Sequence, residues 1–341
     1  MENAQSNNRF NTIIILVKEV TVRMYRLSII FFLFFSIQCF SQNNLDKGRL
    51  LLEQKEYVQA ETFFLNYLDE YPDNLEVREC LGDLYGYQER WDKAIEYYRY
   101  LVEQKPKVAN YHYKYGGVLG MKALQNKLAA IGLIDDIEDH FVSAAKLDKT
   151  HIDARWALVK FYVELPGILG GTKAKAHAYA DELLALSAVD GYLAKGFIYK
   201  SSKDYKDAEE NLRSAVKIGG SVTCYKELVA LYLEEEKYQS ALALLQEAYE
   251  KHSYNNFLYE IGKISAEQEL QISDGELCLE KYIKNYHYSD SYPLEWAYLR
   301  LAQLARYKNK KDTALSYIDK SLAIRADFSL AKKERIKILK L

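Results

Sequence analysis

The chain has 341 residues, 49% hydrophobic and 28% charged, with only four prolines. Net charge is −2, from 46 basic and 48 acidic side chains. This composition excludes disordered and collagen-like chains, offers no basic excess for nucleic acid, and contains no acidic block of the kind that forms a solvated tail.

In chain order, residues 1–23 come first and are expected to be a non-native or disordered extension, with Met24 as the true start. Residues 24–41 read as a secretory signal. Met24-Tyr25-Arg26 is a short basic head, Leu27 to Ile37 is an apolar core, and Cys39-Phe40-Ser41 places small residues for cleavage before Gln42. The apolar core is too short to cross a bilayer, which takes about 20 residues. Retention as an anchor and lipidation of Cys39 are the alternatives to cleavage. The Phe40-Ser41-Gln42 ending resembles export signals of the Bacteroidetes, which implies an exported, periplasmic protein. Cys80, Cys224 and Cys278 remain after cleavage; odd in number and scattered, they are expected to be buried free thiols.

Residues 42–328 repeat themselves. Gly48, Leu51, Ala60, Phe64 and Pro72 are matched by Gly82, Tyr85, Ala94, Tyr98 and Pro106, each 34 positions later. A small residue recurs in the second helix of each unit, at Ala60, Ala94, Ala176, Ala208, Ala241, Gly275 and Ala314, with Ile137 in the third. Four positions on come Phe64, Tyr98, Phe141, Ala180, Leu212, Leu245, Leu279 and Ile318, on the same helical face. The first helices carry Gly48, Gly82, Gly116, Val159, Gly196, Val229, Gly262 and Ala302. Glycine costs about 1 kcal/mol inside a helix, so its recurrence predicts close approach of two backbones.

This period, with these residues in these slots, resembles the tetratricopeptide repeat (TPR) family. The resemblance implies an all-α fold: a right-handed superhelical solenoid of about eight helix-turn-helix repeats. It is strongest in repeats one and two. Residues 329–341 are expected to form a C-terminal capping helix, with Ser329 as its N-cap and Leu330, Ile336 and Leu339 on its apolar face; a basic helix of this kind can also lie on a membrane.

Three irregularities interrupt the array. Extra length falls at Met121 to Asp136, where Asp135 or Asp136 is expected near the start of a helix. Leu165-Pro-Gly-Ile-Leu-Gly-Gly-Thr-Lys173 interrupts repeat four; Thr172 is a cap candidate. That loop is expected to pack over a neighbouring repeat or to touch a partner, since its spacing fails the phosphate-binding pattern. Tyr286 to Trp296 makes a long aromatic turn before repeat eight, able to pin a surface loop or to stack on a sugar or peptide.

No zinc-ligand spacing, nucleophile elbow or Ser-x-x-Lys pair is present, so no enzyme, metal or cofactor is expected. In TPR proteins the first helices line a groove. By resemblance, its wall comprises Glu76, Glu79, Asp83, Tyr87, Asn110, Tyr113, Met121, Trp156, Lys160, Phe197, Lys226, Tyr259, Lys263, Arg306 and Tyr307, acidic at first and then aromatic and basic. Glu79 and Asp83 stand where a carboxylate clamp would begin, which disfavours chaperone-tail partners. The expected function is a non-catalytic protein-interaction scaffold of the cell envelope, holding a protein or peptide segment. The alternative is a glycan or peptidoglycan binder using the aromatic groove and the 286–296 turn. No nucleic acid and no membrane span after cleavage are expected.

Overall fold

The structure, a computed structural model, describes residues 45–125 and 130–341. The signal at 24–41, the extension before it and Cys39 lie outside the described residues. Two compact units make up the chain, one ending at Lys149 and the other running from Thr150 to Leu341. Among the described residues there are helices and no strands.

The first unit holds α1 (seen over 45–53), α2 (Tyr57–Glu70), α3 (Leu75–Tyr87), α4 (Trp91–Gln104), α5 (Ala109–Gln125) and α6 (Ile134–Leu147). The second holds α7 (Ile152–Glu164), α8 (Lys173–Leu186), α9 (Ala188–Ser201), α10 (Tyr205–Ile218), α11 (Val222–Glu234), α12 (Tyr238–His252), α13 (Asn255–Gln268), α14 (Ile272–Lys284), α15 (Leu294–Tyr307), α16 (Lys311–Ile324) and α17 (Ser329–Leu339). Among the described residues these form eight helix pairs and one terminal helix.

Each pair closes on the landmarks read from the sequence. Every second-helix landmark, from Ala60 and Phe64 to Ala314 and Ile318, is buried. The first-helix glycines lie against the residue four beyond the small one. A β-carbon at Gly48 would fall 2.5 Å from the Phe64 ring, at Gly82 2.7 Å from Tyr98, at Gly116 2.9 Å from Phe141, and at Gly196 2.6 Å from Leu212. Removing that carbon lets a large side chain fill the crossing, and each such side chain contributes roughly 1.5–3 kcal/mol by its burial.

Several helix starts follow capping chemistry. Val77 N–H donates to Asn74 Oδ1 at 3.0 Å and Lys175 N–H to Thr172 Oγ1 at 3.2 Å, while Ser187 and Ser221 cap α9 and α11 likewise. The terminal helix departs from expectation. Phe328, not Ser329, occupies its N-cap, and the buried face is Ala331, Glu334 and Ile338. Leu330, Ile336 and Leu339 are about half exposed, at 45%, 56% and 49%. That face brings Glu334 against Arg306 of repeat eight.

Asp135 and Asp136 lie in the first turn of α6. The 165–171 loop is closed by backbone bonds from Leu169 and Gly171 to the Pro166 carbonyl, at 2.8 and 3.3 Å. Its tip is not packed over a neighbour: Ile168 is 94% exposed. Cys80 and Cys224 are buried and Cys278 is half-buried, all three free. Burial pushes the Cys278 thiol up to about 11, which disfavours its thiolate at neutral pH.

Candidate functional site

In the first unit the expected wall residues stand on α3 and α5. Glu76 pairs with Arg49 of α1. Lys114 of α5 reaches back to α3, with Nζ 2.8 Å from Glu79 and 2.7 Å from Asp83. Asn110 Nδ2 donates to Glu79 at 3.0 Å, and the Tyr98 hydroxyl donates to Asp83. Burial works against the Lys114 charge, but the Asp83 and Glu79 carboxylates prevail and raise its pKa. The acidic opening of the wall is therefore charge-compensated. Glu76 and Asn110 remain exposed, as do the apolar Tyr87 at 63% and Met121 at 44%, with Tyr113 half-buried.

In the second unit Trp156 of α7 donates its indole N–H to Asp190 of α9 at 2.8 Å, with the Lys160 ammonium 5.9 Å from the same ring. Lys160 and Lys226 are exposed, and Phe197 is half-buried. Lys226 lies 4.9 Å from the centre of the Tyr254 ring and 3.5 Å from its hydroxyl. Tyr254 is also held by Asn256, whose Nδ2 lies 2.6 Å from that hydroxyl. Burial would raise the Tyr254 pKa, but these donors lower it. First helix packs on first helix, α7 on α9 and α13 on α15, which makes their outward sides neighbours.

Not every expected wall residue is available. Tyr259 is only 2% exposed, stacked at 4.0 Å on Tyr292 with Tyr282 behind it, and belongs to the core. Arg306 is committed to Glu334, and the Tyr307 hydroxyl donates to the Ala266 carbonyl at 3.1 Å. Lys263 pairs with Glu260 at 3.5 Å.

The 286–296 turn is fastened from α13. Asn255 Nδ2 donates to Asp290 at 2.7 Å, Ser291 N–H donates to Asn256 Oδ1 at 3.1 Å, and the Tyr292 hydroxyl donates to Glu260. Trp296 packs against Phe328 at 4.7 Å. Only Tyr288, 87% exposed beside His287, offers an open ring.

Sequence reasoning missed Arg49 and Lys114. The signal was the repeat period itself. The bonds Lys114–Asp83, Asn110–Glu79 and Trp156–Asp190 span 31, 31 and 34 residues, one repeat give or take a helical turn. A residue on one first helix meets its counterpart on the next.

Among the described residues no group of histidine, cysteine and carboxylate side chains could hold a metal ion, and no helix is long and apolar enough to cross a membrane.

Stacked helix pairs with this crossing define the class as a helical repeat protein. Two family models, both described as tetratricopeptide repeat, match residues 81–121 and 189–218. These two stretches are matched as tetratricopeptide repeats. No curated protein matches it. Among solved structures it is similar to a tetratricopeptide repeat protein from Parabacteroides merdae, at 13% identity and TM-score 0.46, over 87% of this chain and 98% of that one. It is also similar to YrrB, described as a TPR protein with an unusual peptide-binding site, at 21% identity and TM-score 0.42, over 59% of this chain and 98% of that one. A third likeness is PilF of Pseudomonas aeruginosa, at 14% identity and TM-score 0.42, over 67% and 99%.

Proposed function

We propose that the protein is a non-catalytic interaction scaffold of the cell envelope, holding a segment of another protein against its first-helix faces. The observation that carries this reading is the distribution of side chains. Within each unit the second-helix landmarks are spent on the core, whereas Tyr87 and Met121 on α3 and α5, and Lys160 and Lys226 on α7 and α11, face water. Exposed apolar anchors in the first unit and exposed ammonium groups in the second each suit a partner segment whose register is set by its own side chains. The envelope location rests on the Met24–Ser41 signal reading, with lipid attachment at Cys39 as its alternative. The N-terminal residue of the native protein, Gln42 or a lipidated Cys39, decides between them.

The test uses the full chain as bait against envelope proteins. Changing Tyr87 and Met121 to alanine, or Lys160 and Lys226 to glutamate, should weaken retention of the same partner about tenfold or more. Neither pair of changes touches a buried contact, so the fold should survive. Substituting Glu79 and Asp83 is a poor probe, because Lys114 would lose both of its carboxylates. The glycan reading predicts instead that Tyr288→Ala abolishes binding to wall fragments while the wall changes do not.

A further inference from the structure

His112 on α5 and His140 on α6 face each other with their Nδ1 atoms 2.9 Å apart. His112 Nε2 lies 3.0 Å from the Pro106 carbonyl oxygen, which can only accept. His112 Nε2 therefore carries a hydrogen, and its Nδ1 presents a lone pair. The hydrogen between the rings belongs to His140 Nδ1. A proton added at His140 Nε2 leaves this bridge intact. A proton added at His112 Nδ1 sets N–H against N–H and breaks it.

The pair is enclosed. His112 is 9% exposed, the Tyr115 ring sits 4.5 Å from that of His140, and the missing β-carbon of Gly116 would lie 3.3 Å from the His140 Cβ. The charged groups around it are Asp136 and Asp139 on α6, and Arg99 on α4, which donates to the Tyr115 hydroxyl at 3.1 Å. Glu103 acts on Arg99 from α4. Among the described residues neither ring is hydrogen-bonded to a carboxylate.

We propose that this histidine pair is an acid-sensitive latch between the two helices of repeat three, closed by the Nδ1–Nδ1 bridge and opened when His112 takes up a proton. Opening frees α5, and α5 carries Tyr113 and Lys114, the residue that ties Glu79 and Asp83 into the wall. The wall of the first unit would thereby be coupled to acidity. Burial, and then the neighbouring His112, hold the His140 pKa below the ordinary histidine range.

The test is hydrogen exchange on the full chain at pH 7.5 and pH 4.5, corrected for the intrinsic rate, with His140→Asn as the comparison. Asparagine can donate to a neutral His112 or, flipped, accept from a protonated one, so it removes the conflict. The wild type should lose about tenfold or more protection in α5 and α6 relative to α9–α16, and the variant less than about twofold. Equal losses in the two proteins overturn the latch, as does unchanged protection in the wild type. Should the variant misfold, the 15N–15N coupling across the bridge in the wild type decides. Its disappearance together with α5–α6 protection supports the latch; its disappearance with protection intact overturns it.

Discussion

Replacing Glu334 with alanine should release the C-terminal helix. Glu334 is 2% exposed and pairs with Arg306 Nε, with the Lys337 ammonium 3.4 Å away. It is the only acidic side chain in a helix that also carries Lys332, Lys333, Arg335 and Lys337. Removing it leaves a cationic helix beside a half-buried guanidinium that has lost its counter-charge. Breaking one side of a buried pair costs about 3 kcal/mol. The remaining contacts, Phe328, Ala331 and Ile338 on repeat eight, form a small apolar patch that cannot absorb this. Hydrogen exchange should rise throughout α17, and denaturant unfolding should show the loss. Glu334→Gln should fall between the two, since its amide oxygen can still accept from Arg306. A loss under about 0.5 kcal/mol would mean that the helix is held by its apolar contacts alone.

Two glycine-to-alanine changes should have opposite signs. At Gly191, near the start of α9, a β-carbon would collide with the backbone of Leu184 in α8. Neither helix can yield without opening the crossing between α8 and α9, so Gly191→Ala should cost about 2–3 kcal/mol. At Gly117 in α5 a β-carbon would meet nothing within 4 Å. Alanine there gains about 1 kcal/mol of helix propensity. Thermal unfolding of the two variants gives both signs in one experiment. Stabilisation by Gly191→Ala would show that the two helices sit further apart than described.

The repeats were legible because packing against a neighbouring helix pair imposes one residue size at one slot. The Gly82–Tyr98 crossing and its relatives appear directly as a 34-residue period, and the landmark residues carried the reading through the longer third and fourth units, where the period itself breaks. Turns were harder to read. The bend between paired helices recurs at positive φ on Lys55, Glu89, Lys203, Glu236 and Asn309, only one of which is a residue that favours it. A turn held by the helices on either side does not need glycine. The wall was only partly legible. Slot numbers select one side of a helix, but they do not say whether a carboxylate such as Asp83 already has a partner, or whether a loop has folded over a ring such as Tyr259. Those facts depend on contacts one repeat away. The orientation of the last helix did not follow its apolar residues, since the face it buries also carries Glu334 against Arg306.

In the proposed scaffold, partners engage the first helices. Photo-crosslinking in cells tests this most directly, with the reactive residue placed in turn at Tyr87, Lys160 and Lys226 on first helices, and at Glu96, Lys206 and Gln246 on exposed sides of second helices. A single protein crosslinked from first-helix sites and absent from second-helix sites is the predicted result. Equal crosslinking from both sets, or crosslinking from the second helices alone, would contradict it.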